Sequence, residues 1–105
     1  MKRAVVFAVC VGWISSAAAA FDDGNDLLQI CTNEREFCLG LTSGYYDMMR
    51  TMGVTCPRAS NVSRGQVRDV IVKYLNDNPA KRNQSASFLA ATALTQGFGC
   101  KKPGT

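Results

Sequence analysis

Apolar residues recur at helical spacing in four stretches of this chain, and one unbroken apolar run precedes them. The run extends from Ala4 to Ile14 without a charge. Met1-Lys2-Arg3 supplies a positive start before it, and small residues from Ser15 to Ala20 follow, ending in Ala18-Ala19-Ala20. A positive start, a short apolar middle and a small-residue end are the three parts of a secretory signal peptide. The run falls short of the roughly 20 apolar residues that span a bilayer. The pattern therefore predicts a signal peptide at 1–20, cleaved before Phe21, and one domain at 21–105.

The first stretch after the leader is Leu27, Leu28, Ile30 and Cys31, behind Asp22-Asp23-Gly24-Asn25. Acidic residues suit a helix N-terminus, where the macrodipole is positive. The pattern weakens over Thr32–Glu34. It resumes with Phe37, Leu41, Tyr45, Met48 and Met52, which share one face of a helix from about Glu36 to Met52. That face is expected to point inward, with Tyr46 and Met49 off it and Gly53 as the stop. Glycines at Gly40 and Gly44 suggest close helix packing. In the third stretch Ser63 and Gln66 have capping-box spacing, and Val62 and Val67 stand at staple positions. Val67, Val70, Ile71, Tyr74 and Leu75 follow as a stripe that Asn76-Asp77-Asn78-Pro79 ends. The fourth stretch runs from about Ser85 to Gln96, with Ala86, Leu89, Ala90, Ala93, Leu94 and Gly97 on one side. The predicted fold is all-α: a small disulfide-stapled bundle of about four helices.

Cysteine usage adds the staples. Of five cysteines, Cys10 lies in the leader, leaving Cys31, Cys38, Cys56 and Cys100. An even set in a short exported domain reads as a disulfide framework. Short connections make neighbouring helices antiparallel. Cys38 then lies at one end of the second helix, with Cys56 and Cys100 both at the other. The second helix separates those ends by roughly 20 Å, whereas bridged Cα atoms lie within about 7 Å. Cys31–Cys38 with Cys56–Cys100 is the pairing that survives. A continuous helix would hold Cys31 and Cys38 about 10.5 Å apart, so a break near Thr32-Asn33 is required.

Charge and composition mainly exclude. Losing Lys2 and Arg3 lowers the net charge from +4 to +2, which is not a nucleic-acid signature, and Lys101-Lys102 reads as a solvated tail. The chain has no histidine. That removes Ser-His-Asp and Cys-His catalysis and the common zinc sites. Asp22-Asp23 and Glu34/Glu36 read as exposed or helix-start acids rather than a glycosidase pair. No catalytic residue, cofactor or metal is expected. Asn61 and Asn83 head glycosylation tripeptides by pattern.

Read in order, these motifs resemble one family. The opening is Gly24-Asn25, Leu27-Leu28 and Cys31. Next come Phe37-Cys38, Gly40, Gly44, Asp47 and Cys56-Pro57. Then follow Gly65-Gln66-Val67, Asp69-Val70, Val72-Lys73-Tyr74-Leu75, Pro79 and Arg82, and Ala86, Leu89, Ala93-Leu94, Phe98 and Cys100 close the series. With the leader, this order is similar to the Rap/Tai family of type VI secretion immunity proteins across the whole exported chain. Asn78 and Asn83 stand where histidines are common in that family, Ala80 where an acid is common, and Gly99 where proline is usual. The resemblance implies a periplasmic, homodimeric, non-enzymatic helical protein of Gram-negative bacteria. It implies binding to a cognate peptidoglycan amidase effector, whose active-site groove it blocks, and so protection of the producing cell. No membrane association after cleavage is implied.

A blocker needs a rigid projection, because ordering a loop on binding costs affinity. The expected projection is the connection from Asp77 to Gln84. Within it Asp77, Asn78, Asn83 and Gln84 are candidates and Lys81 and Arg82 the main polar contacts, with Arg68 and Tyr74 as supports on the third helix. The alternative is a periplasmic stress or acid chaperone without a dedicated effector. It would bind many unfolded clients and no single tight partner. A small hydrolase is disfavoured by the missing histidine.

Overall fold

A computed structural model describes residues 22–104. The leader predicted at 1–20 lies outside the described residues. Four α-helices follow: α1 Gly24–Asn33, α2 Arg35–Thr51, α3 Arg64–Asp77 and α4 Ala86–Phe98. Short 3-10 turns at Pro57–Ala59 and Pro79–Lys81 precede α3 and α4. Proline opens both turns, where its missing N–H costs no hydrogen bond. Among the described residues there is no strand, only isolated bridges Asp23–Ser85 and Thr55–Lys101. The all-α bundle expected from the spacing is the fold observed.

Local signals account for most boundaries. Ser63 and Gln66 form the expected capping box, with Ser63 Oγ accepting from Gln66 N at 3.1 Å and Gln66 Oε1 accepting from Ser63 N at 2.8 Å. Asp23 and Asp26 make a second box at the start of α1, where the sequence marks Asp22 and Asp23 only as helix-start charge. Gly53 ends α2 at φ +91°, a conformation closed to most side chains. The break between α1 and α2 falls at Glu34, whose φ of −131° and ψ of 73° are not helical. It lets Cys31 and Cys38 bridge with Cα atoms 4.7 Å apart. Cys56 and Cys100 form the second bridge, with Cα atoms 4.0 Å apart. Beside it, Thr55 and Lys101 exchange backbone hydrogen bonds of 3.0 and 2.7 Å.

The core lies between α3 and α4, and α1 and α2 pack against both of them and against each other. Leu27, Ile71, Leu75, Leu89 and Leu94 are fully buried there. Each stabilises the fold by about 2 kcal/mol relative to exposure. Gly97 lets α4 approach α3: a methyl group at that position would meet Val70 Cγ1 at 2.6 Å.

Helix α2 departs from the expected register. Its buried residues are Cys38, Thr42 and Met49, whereas Phe37, Met48 and Met52 are exposed. Leu41 and Tyr45 are half-buried, as is Tyr46. The inner face is thus turned by about one residue from the most apolar stripe. The buried face is the bridged one: Cys38 faces α1 to reach Cys31, and Thr42 and Met49 lie on the same side at helical spacing. Thr42 enters the core because its hydroxyl donates to the Cys38 carbonyl at 2.7 Å. Gly40 and Gly44, expected at a helix contact, have no atom within 4 Å of where a side chain would begin, and both face solvent.

Candidate functional site

Residues 78–85 connect α3 to α4 and stand at one end of the bundle. Two side chains of this connection turn back to close α3. Asn78 Nδ2 donates to the Tyr74 carbonyl at 2.9 Å. Arg82 Nη1 donates to the Leu75 carbonyl at 3.2 Å. The last carbonyls of a helix have no partner within it, and a cation there also complements the negative end of the dipole. Arg82 Nε is buried without a hydrogen-bond partner.

The backbone of the connection is held from outside. Gly24 N donates to the Gln84 carbonyl, and Asn25 N to the Arg82 carbonyl, each at 3.0 Å. Asn25 Nδ2 adds a bond to the same Arg82 oxygen at 3.3 Å. Ala86 N donates to the Asp22 carbonyl at 3.0 Å. Within the connection, turn bonds join Lys81 N to Asn78 O, Arg82 N to Pro79 O and Gln84 N to Lys81 O. Ser85 Oγ then accepts from Phe88 N and starts α4.

This scaffolding sorts the expected site residues. Lys81, Asn83 and Gln84 present exposed side chains. Asp77 is exposed but ion-paired with Lys73 at 2.8 Å; that carboxylate raises the Lys73 pKa. Tyr74 is half-buried, and with Asp77, Asn78, Val70, Gln96 and Gly97 it lines a shallow groove of about 300 Å³ between α3 and α4. Arg68 is not part of this group. It stands six residues before Tyr74, about 9 Å along the axis, and pairs with Asp69 at 3.0 Å. Gly24 and Asn25 belong to the site through their backbone bonds, and the sequence reading gave them no role there.

A second surface runs along α2. Exposed Phe37, Met48 and Met52 flank half-buried Leu41 and Tyr45, and Phe88 of α4 is exposed as well. Leu41, Tyr45, Asp22, Ser85 and Ser87 line an open cleft of about 600 Å³. Burial, and then the nearby Asp22 carboxylate, push the Tyr45 phenol above its ordinary value.

The chemistry on offer is recognition: a lysine and two amides on a hydrogen-bonded turn, beside an apolar helix face. Among the described residues no group of acidic or cysteine side chains could hold a metal ion. A family model described as Rap1a immunity proteins matches residues 23–100. No curated protein and no solved structure matches the chain.

Proposed function

Because the chain belongs to the family of Rap1a immunity proteins, we propose that it neutralises a peptidoglycan amidase delivered by type VI secretion. It acts by binding rather than by catalysis, and it works in the periplasm after export. The connection at 78–85 enters the amidase groove, and Lys81, Asn83 and Gln84 make the polar contacts there. The observation that carries this reading is the state of that connection. Its backbone is already bonded to α1 and to itself, while those three side chains are exposed. Little ordering is left to lose on binding. Both disulfides are formed in the fold, which suits an oxidising compartment. Among the described residues no helix is long and apolar enough to cross a membrane.

The same reading makes the protein a homodimer through the exposed face of α2. Phe37, Met48, Met52 and Phe88 supply an apolar centre for an interface that needs about 800 Å² from each partner. The test begins by reading the neighbouring frames for a small peptidoglycan amidase, and uses that enzyme with the exported protein. Stoichiometric addition should stop release of peptide fragments from purified peptidoglycan. Lys81→Ala and Asn83→Ala should weaken inhibition. Undiminished hydrolysis at excess protein, with capture of many unfolded clients instead, would sink the immunity reading and favour a chaperone. Sedimentation of Met48→Lys as a monomer, against a dimeric parent, checks the α2 face.

A further inference from the structure

We propose that residues 22–25 form a strap that fixes the conformation of the 78–85 connection, with Gly24 as its positioning residue. The inference deepens the occlusion reading, and its binding arm rests on that reading.

The connection has little to hold it by itself. Its three internal bonds are single-turn contacts, and the one from Arg82 N to Pro79 O is 3.4 Å long. Short 3-10 turns have poor hydrogen-bond geometry and are seldom stable alone. The strap contributes four bonds against the connection's three internal ones, and places them at its C-terminal half and at the first residue of α4. Gly24 N, Asn25 N and Asn25 Nδ2 donate to carbonyls of Gln84 and Arg82, and Asp22 O accepts from Ala86 N. Asn25 and Arg82 are 57 positions apart in the chain. The conformation of the connection is therefore a tertiary property, set by where α1 begins.

Glycine at position 24 is required by proximity. Its φ is not positive, so backbone strain is not the reason. A methyl group there would lie 3.0 Å from both the Cα and the carbonyl oxygen of Arg82, and closer still to Leu89 Cδ1. Leu89 can move its side-chain end, but Arg82 can yield only by shifting the backbone of the connection. The Arg82 guanidinium on Leu75 would shift with it. Lys81 and Asn83 flank Arg82, so a displaced Arg82 misplaces both exposed side chains at once.

The experiment is Gly24→Ala in the exported protein, read by amide hydrogen exchange and by inhibition of the amidase used to test the occlusion reading. Exchange at Asn25 and Ala86 should rise about tenfold, with Ile71 and Leu94 in the core unchanged, since local openings and global unfolding are separable. Inhibition should weaken by about tenfold, the cost of re-ordering a loosened loop. Unaltered exchange at Ala86 overturns the strap. Raised exchange with undiminished inhibition overturns the positioning role. If Gly24→Ala unfolds the whole chain, Asn25→Ala decides: it deletes one donor at an exposed position and should raise exchange at Ala86 without lowering the melting temperature. Should the wild-type chain leave the amidase untouched, the exchange arm still tests the strap, and that failure belongs to the occlusion reading alone.

Discussion

Arg82 turns its guanidinium onto the Leu75 carbonyl, while Lys81, one position earlier, stands exposed. Residue type and spacing put both cations in the same connection, and nothing local distinguishes them. What separates them is where α3 ends in space, and that depends on packing. Arg82→Ala should lower unfolding stability by about 1–2 kcal/mol, the cost of an uncapped, partly buried carbonyl. Lys81→Ala should stay within about 0.5 kcal/mol of the parent, as surface changes do, so that under the proposed function its effect is on binding alone. Urea titrations of both variants check this, and equal stability losses would show that Arg82 holds nothing. Tyr45 offers a pH readout. Burial and then Asp22 raise its pKa above 10.0, so the folded state favours the neutral phenol. The unfolded chain ionises first as pH rises. Stability is therefore intact below about pH 10 and falls as pH climbs through the folded-state value. Lys73, held protonated by Asp77, contributes in the same direction. Only the difference between the parent and Tyr45→Phe reports Tyr45: the variant should lose part of the alkaline decline. An identical decline in both would remove Tyr45 from the account.

The helices were legible in the sequence where local chemistry and packing agree. In α3 the Ser63–Gln66 box and the Val67, Ile71, Leu75 stripe specify start, length and inner face together. In α4 the Leu89, Ala90, Ala93, Leu94 face is buried as read. In α2 the two sources conflict. Its most apolar stripe is Phe37, Leu41, Tyr45, Met48 and Met52, yet the face that carries the bridged Cys38 is the one turned inward. Hydrophobic periodicity finds the stripe but cannot tell a core from an interface, because both are apolar. The two methionines discriminate. Met49 is 9% exposed and Met48 is 59% exposed. Met49→Ala should cost about 2–5 kcal/mol, as a core truncation does, and Met48→Ala in the monomer should cost under about 0.5 kcal/mol. Denaturant unfolding of the two variants, each at a concentration where it is monomeric, gives the comparison. The reverse order would restore the register that the stripe alone implies. The connection at 78–85 was legible as a loop from Asn76-Asp77-Asn78-Pro79, but its strap was not. Gly24 and Asn25 meet it from far along the chain, Asn25 and Arg82 being 57 positions apart, beyond the reach of any local pattern.

At the scale of the whole molecule the two bridges perform unequal work. The first closes a ring of sequence separation 7 at the α1–α2 corner, and the second one of separation 44, from the end of α2 to the end of α4. A crosslink stabilises chiefly by removing conformations from the unfolded chain, and the effect grows with the logarithm of ring size. The entropy relation gives about 2.4 kcal/mol for the short ring and about 4 kcal/mol for the long one. Burial runs against this order, since Cys38 is fully buried and Cys100 nearly so; replacing each pair by alanine rather than serine avoids adding a buried hydroxyl. The Cys56→Ala/Cys100→Ala variant should therefore lose more unfolding free energy than Cys31→Ala/Cys38→Ala, by about 1–2 kcal/mol. For a domain of this size, whose single core is modest, the larger loss should bring unfolding close to physiological temperature. The smaller one should leave a folded bundle whose α2 is no longer pinned at Cys38. Only in that second variant can the helix turn its apolar stripe inward. It should thus bury Met48 and Met52 at the expense of the exposed face, seen as slower solvent oxidation of those two methionines than in the parent when both proteins are monomeric. If Cys31→Ala/Cys38→Ala keeps Met48 as reactive as in the parent, the register of α2 is set by Thr42 and Met49 packing and the short bridge merely reinforces it.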